Sequence, residues 1–183
     1  MDRRDLLKLA GSAALLFVFT RPDVLRGPAR GQKEAYTNLG LILEQQQKFK
    51  IELQEYLTVG PSGPLPGEKP MKWPTESCPS DCRGLHLEAC SSFACLDFAP
   101  AQPVRFRYGC KAIRHGDAYD VTCAAAGDLD GDGKISLLVV GTSTSGQLVA
   151  AVPALGIEIP PTRCSTVARV PSEVVYDCTP GVL

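Results

Sequence analysis

The chain is poor in histidine. His86 and His115 are the only two, and each stands alone in sequence, which leaves little material for general-base chemistry or a histidine-rich metal site. Charge of one sign is lacking as well: 19 basic residues against 20 acidic ones give a net charge of -1, so no electrostatic excess exists to hold a polyanion and nucleic acid is not expected as a partner. The usual catalytic fingerprints are also missing. Ser143 and Ser145 lie in GTSTSG, which is not a G-x-S-x-G elbow, and there is no haem-attachment motif, phosphate-binding P-loop or dinucleotide fingerprint. An enzyme is therefore not expected. The apolar run from Leu9 to Phe19 is 11 residues long, short of the roughly 20 that a membrane-spanning helix requires.

Cysteine, by contrast, is abundant. Eight cysteines in 183 residues are an even number and more than a reducing compartment favours, so an oxidising environment and disulfides are the simplest reading. An apolar fraction of 44% is enough for one globular domain with an ordinary core. Arg3 and Arg4 precede the apolar run in MDRRDLLK, a pattern similar to an export signal of the twin-arginine type. Thr20, Arg21, Pro22 and Asp23 follow without a clear small-x-small cleavage site, so both removal and retention of the segment stay open.

Four regions follow. Residues 1–28 read as an export signal or a membrane or filament-core helix. Residues 29–58 carry an amphipathic helix: Ala35, Leu39, Ile42, Phe49, Leu53 and Tyr56 recur at steps of three and four, with Gln46 interrupting the stripe. Gly60 and Pro61 supply its stop, and one long helix running back toward Leu6 is compatible with Pro22 and Pro28 as kink or first-turn positions. Residues 59–77 are a Pro/Gly-rich loop, and residues 78–183 a disulfide-rich antiparallel β domain. Period-two alternation marks strands at Val104 to Tyr108 and Tyr119 to Ala125. A third run spans Ile135 to Val140, and weaker candidates lie at Leu148 to Val152 and Glu173 to Cys178. The expected fold class is α+β, with the helix stripe covering one face of the sheet.

Asp128, Asp130 and Asp132 alternate in GDLDGDGKIS, with Gly133 directly after the third, resembling the opening half of an EF-hand loop. The position for a closing bidentate Glu is Val139, which excludes a full EF-hand. Two readings remain: a weak Ca²⁺ site completed by other oxygens, or a polar hairpin turn. Cys78, Cys82, Cys90 and Cys95, with His86 among them, have spacings that fit zinc knuckles poorly and disulfides better. Spacing alone does not determine connectivity, but sequential local pairing is expected, with Cys110 joined to Cys123 on adjoining strands and Cys164 to Cys178. Trp73 reads either as an exposed contact residue or as a lid on a core edge.

The order of elements resembles bacterial type IV pilins and type II secretion pseudopilins. The likeness is carried by ARGQKEAYTNLGLILEQQQKF within Ala29 to Tyr56 and by the Asp-Gly hairpin within Tyr119 to Val140, together about a quarter of the chain. It implies a pilin-like fold: a long N-terminal helix packed on an antiparallel sheet with disulfide-braced loops, including a C-terminal loop like Cys164 to Cys178. It further implies Ca²⁺ near the sheet, at Asp128, Asp130 and Asp132. It assigns Leu6, Leu7, Leu9, Leu15, Leu16, Phe17 and Phe19 to a filament core, held in the inner membrane before assembly. The chain departs from the family pattern at Asp2, Arg3, Arg4, Asp5 and Lys8, where an uninterrupted apolar stretch is usual.

The function this implies is a structural subunit, major or minor, of an exported cell-surface or periplasmic filament, whose partners are copies of itself or other pilin-like subunits. The alternative is a monomeric exported binding module, held together by disulfides and contacting partners through the Cys78 to Cys95 patch or the proline loop.

Overall fold

A computed structural model describes residues 31–82, 89–116, 118–142, 148–156, 164 and 173–182. The expected strands at Tyr119 to Ala125 and Ile135 to Val140 coincide with the centre of a four-stranded antiparallel sheet. Its strands are β1 (Arg107–His115), β2 (Ala118–Gly127), β3 (Ser136–Gly141) and β4 (Tyr176–Asp177), in the order β1-β2-β3-β4. Register is set by pairs such as Cys110 opposite Cys123, Ala125 opposite Leu138 and Val139 opposite Tyr176. The first expected strand is shifted toward the C-terminus: Val104 lies outside β1 and instead makes an isolated bridge with Met71.

One α-helix, α1 (Lys33–Leu53), is present among the described residues and covers one face of the sheet. Its 21 residues correct the expectation of a long N-terminal helix of the pilin kind. Gly31, immediately ahead of the first capping residue, has φ of +110°, outside the right-handed helical region, so the helix cannot run back through it toward Leu6. The other end also closes earlier than the apolar stripe suggests. Gln54 adopts a left-handed conformation and donates its N–H to the Lys50 carbonyl at 2.8 Å, which lets Tyr56 and Leu57 reach the core from outside the helix. Pro22, Pro28 and the expected filament-core residues Leu6, Leu7, Leu9, Leu15, Leu16, Phe17 and Phe19 lie outside the described residues.

The stripe on α1 continues through Gln46 rather than breaking there. Gln46 is fully buried; its amide nitrogen donates to the Leu57 carbonyl at 2.8 Å and its amide oxygen accepts the Leu57 N–H at 2.9 Å. The side chain thus acts as a piece of backbone, satisfying a segment that would otherwise bury two unpaired groups. Gln32 works similarly at the helix start, donating to Ser136 Oγ at 3.0 Å and to Asp177 Oδ2 at 3.2 Å instead of capping the helix.

Both faces of the sheet are covered. Toward α1 lie Phe106, Tyr108, Val121, Cys123, Ala125, Leu138 and Val140, packed with Leu39, Ile42 and Phe49. The opposite face buries Ala124, Ala126, Leu137 and Val139 with Ala151 and Leu155. Those two residues belong to a 3-10 helix, Leu148–Leu155, which replaces the weak strand expected at Leu148 to Val152. An apolar run with Pro153 inside it has no free backbone donor there for a strand ladder. Gly109 permits this contact, because a Cβ at that position would sit 2.7 Å from the Ala154 carbonyl oxygen. The proline loop runs along the outer edge of β1, where Val59 and Cys110 exchange backbone hydrogen bonds at 3.0 and 2.8 Å.

Four disulfides brace the fold: Cys78–Cys95, Cys82–Cys90, Cys110–Cys123 and Cys164–Cys178. The last two are the expected pairs, whereas the first four cysteines pair in a nested rather than sequential order. Nesting folds the segment back on itself, so that Cys82, Cys90 and Cys95 join the buried cluster with Phe93 and Phe98. Trp73 closes that cluster as a half-buried lid, edge-on to Phe93 and Phe98 at 5.4 and 5.5 Å between ring centroids.

Leu39→Asp is expected to abolish cooperative unfolding, at a cost exceeding about 4 kcal/mol, because it places a carboxylate in a fully buried position between α1 and the sheet. A thermal melt of the variant with an unchanged midpoint would contradict this packing.

Candidate functional site

The loop joining β2 to β3 brings the three sequence-predicted carboxylates together. One oxygen each from Asp128, Asp130 and Asp132 lies within 4.8 Å of the others. Asp128 organises the turn: its Oδ1 accepts from the Gly131 N–H at 2.9 Å and its Oδ2 from the Gly133 N–H at 3.0 Å. Gly131 and Gly133 have φ of +78° and +83°, conformations that favour residues without a Cβ. Asp132 Oδ1 accepts the Lys134 N–H at 2.8 Å, and its other oxygen pairs with the Lys134 ammonium. That ammonium holds the Asp132 carboxyl below the usual carboxylate range and is itself shifted upward. Asp130 makes the weakest contribution to the turn, one 3.3 Å bond from the Asp132 N–H.

Val139, at the EF-hand closing position, is buried in β3 and paired with Tyr176. The Glu68 Cβ, from the proline loop, lies 3.7 Å from where a Gly131 Cβ would stand, but its carboxylate is not part of the converging cluster. This approach depends on the proline loop packing against the hairpin, as the 3.4 Å bond from the Asp128 N–H to the Pro66 carbonyl records. Chemically, the loop can offer carboxylate oxygens to a hard cation while already standing as a hydrogen-bonded turn.

A second concave region lies beside the nested disulfides. This open groove of about 690 Å³ is lined by Lys72, Trp73, Pro74, Glu76, Phe98 and Pro103 among others. Its walls are largely apolar, and the Trp73 and Phe98 rings that line it also belong to the core cluster.

A third cluster is internal. Glu34 of α1 accepts the Arg105 backbone N–H at 2.9 and 3.2 Å and the Tyr108 hydroxyl at 2.9 Å, while Asn38 donates its amide to the same hydroxyl at 3.0 Å. Desolvation raises the Glu34 carboxyl above its ordinary value of 4.5, against the lowering effect of those hydrogen bonds and of the Arg105 charge. Burial, then the neighbouring Glu34 charge, pushes the Tyr108 phenol well above its usual range. Tyr108 is fully buried and Glu34 half-buried, and the group ties α1 to β1. Glu34 and Asn38 are four apart on one helix face; that spacing is the only sequence signal for the cluster.

The remaining predicted groups separate. His115 sits at the β1–β2 hairpin end, with its Nε2 3.8 Å from Asp120 Oδ2. His86, Ser143 and Ser145 lie outside the described residues. Every cysteine is in a disulfide, which leaves no thiolate for zinc or catalysis. No described helix is long and apolar enough to cross a membrane. The four disulfides fit an oxidising, exported environment. No family model matches the chain, and comparison with curated proteins and with solved structures likewise finds no match.

The raised Glu34 pKa makes a signed prediction. Its contribution is fully present below pH 4.5, where the carboxyl is protonated in folded and unfolded chains alike, and is lost as pH rises through the folded value. The melting temperature of the wild type relative to Glu34→Gln is therefore expected to fall as pH rises from about 4 to 7; a constant difference across that interval would contradict the assignment.

Proposed function

We propose that the protein is a non-enzymatic structural subunit of an exported filament of the type IV pilus or type II secretion kind. The observation that supports it best is where the reactive groups are placed. All eight cysteines are in disulfides, and Glu34, Asn38, Gln46 and Tyr108 are committed to one another or to backbone. A domain built this way works through its surface and its durability outside the cell. The likeness over Ala29 to Tyr56 and Tyr119 to Val140 supplies the choice of filament, with copies of this chain or related subunits as partners and the inner membrane as the store before assembly. In this reading Leu6 to Phe19 remain part of the working protein.

Intact-mass measurement on sheared surface material and on the periplasmic fraction of native cells tests it. The expected result is a chain retaining Leu6 to Phe19, recovered with filaments. A soluble monomer beginning between Thr20 and Gln32 would overturn the filament role in favour of an exported binding module, for which the groove beside Trp73 is the contact surface to examine.

The convergence of Asp128, Asp130 and Asp132 favours Ca²⁺ as a stabilising ion for the β2–β3 loop. Excess Ca²⁺ is expected to raise the melting temperature by a few degrees over chelator-treated protein, and Asp130→Ala to remove the shift. Asp130 is the informative position because it contributes least to the turn itself. Identical melting with Ca²⁺ and with chelator would leave the loop as a turn alone.

A further inference from the structure

The outward face of α1 carries a second stripe, which the sheet does not use. Leu41, Glu44, Lys48 and Ile51 follow at steps of three, four and three, the spacing of a coiled-coil seam. Leu41 is 45% exposed and Ile51 76%, and these are two of the three large apolar side chains most exposed among the described residues. Glu44 and Lys48 form an ion pair at 2.8 Å with both side chains more than half exposed. Gly40 lies on the same side, and nothing stands within 4 Å of the position a Cβ would take there, so a second backbone can come close.

The order of chemistry along this stripe is apolar, acid, base, apolar, and it is centred on position 46. An antiparallel copy of the same helix, related by a two-fold axis at that level, sets Leu41 against Ile51 of the second copy and Glu44 against Lys48 of the second copy. The four charges then form a ring of alternating sign between two apolar contacts. A parallel arrangement puts Glu44 against Glu44 and Lys48 against Lys48, which is repulsive. Two-fold pairing demands a self-complementary patch, and this stripe has that property only in the antiparallel sense. We propose that the outward face of α1 is a homodimer interface in which two copies pair antiparallel through Leu41, Glu44, Lys48 and Ile51. The pairing rests on the surface of α1 alone and holds whether or not the chain enters a filament. One 21-residue helix on each side makes an interface below the standard size, so the dimer is weak.

Sedimentation velocity on the full-length oxidised chain, from micromolar to about millimolar concentration, tests the proposal. The expected behaviour is a reversible monomer–dimer equilibrium. Glu44→Lys leaves two bases on the stripe and Lys48→Glu leaves two acids, so each variant alone is expected to dimerise about tenfold more weakly or worse. An equimolar mixture of the two restores opposite charges across the axis and is expected to recover wild-type strength as a mixed dimer. All four positions are on the outward face, so the variants keep the wild-type fold, which an unchanged far-ultraviolet spectrum and melting curve verify. A monomer at every concentration overturns the proposal. So does a dimer whose strength neither reversal changes, because that contact lies elsewhere, or a mixture no tighter than its components.

Discussion

The rest of the structure depends on the double burial of β2 and β3. Ala124, Ala126, Leu137 and Val139 on one face, and Val121, Cys123, Ala125, Leu138 and Val140 on the other, are all removed from water. An antiparallel sheet of four strands usually leaves one face wet, and a two-sided apolar sheet is stable only if something covers each side. α1 covers one and the short 3-10 helix the other, and each requires a special backbone or side-chain arrangement to do so. Gly109 removes the Cβ that would hold the 3-10 helix away from β1. On the α1 side, Gln46, Asn38 and Gln32 carry polar groups into the interface and find partners for them across the sheet or in the chain beyond the helix.

The disulfides brace the sheet and the segments packed around it. Cys110–Cys123 joins facing positions of β1 and β2 within the sheet, Cys164–Cys178 lies with the second-face cluster, and the nested pair lies under Trp73 and the aromatic rings. The segment from Cys78 to Cys95 has little regular secondary structure among its described residues, so few ladder hydrogen bonds restrain it. Crosslinks that shorten the loops of the unfolded chain compensate for that deficit, each by about 2 to 4 kcal/mol. Oxidation is therefore part of the fold's stability, and this links the exported setting to the architecture.

What was legible in the sequence follows a physical division. Periodicity located α1 and the central strands because burial of Leu39, Ile42, Val121 and Cys123 imposes spacing on apolar residues. The same signal failed at Gln46, since a polar residue that substitutes for backbone hydrogen bonding is buried without being apolar. Helix length is not legible in the sequence because the turn at Gly31 is a matter of φ, and a glycine in sequence shows only that a positive φ is allowed. The run at Leu148 to Val152 had no alternation to separate strand from helix. Of the candidate site, the convergence of Asp128, Asp130 and Asp132 was readable from alternate spacing within one tight turn. The approach of the proline loop to that turn was not, because it depends on how distant segments pack, and the nested pairing within Cys78 to Cys95 is likewise a matter of tertiary packing.

The outward face of α1 belongs to a further category, legible only after the inward face is known. Leu41 and Ile51 fall between the core positions and outside the stripe that periodicity marks, but the sequence does not say what an apolar residue off that stripe faces. Once Ala35, Leu39, Ile42, Gln46 and Phe49 are placed against the sheet, the helical period puts Leu41, Glu44, Lys48 and Ile51 on the far side, nearly opposite. A helix whose only task was to cover a sheet would gain from charged residues at all four positions. Apolar side chains at both ends of the stripe add nothing to the monomer's core and leave two greasy contacts in water. Their symmetric placement about an acid–base pair is what a self-complementary surface requires.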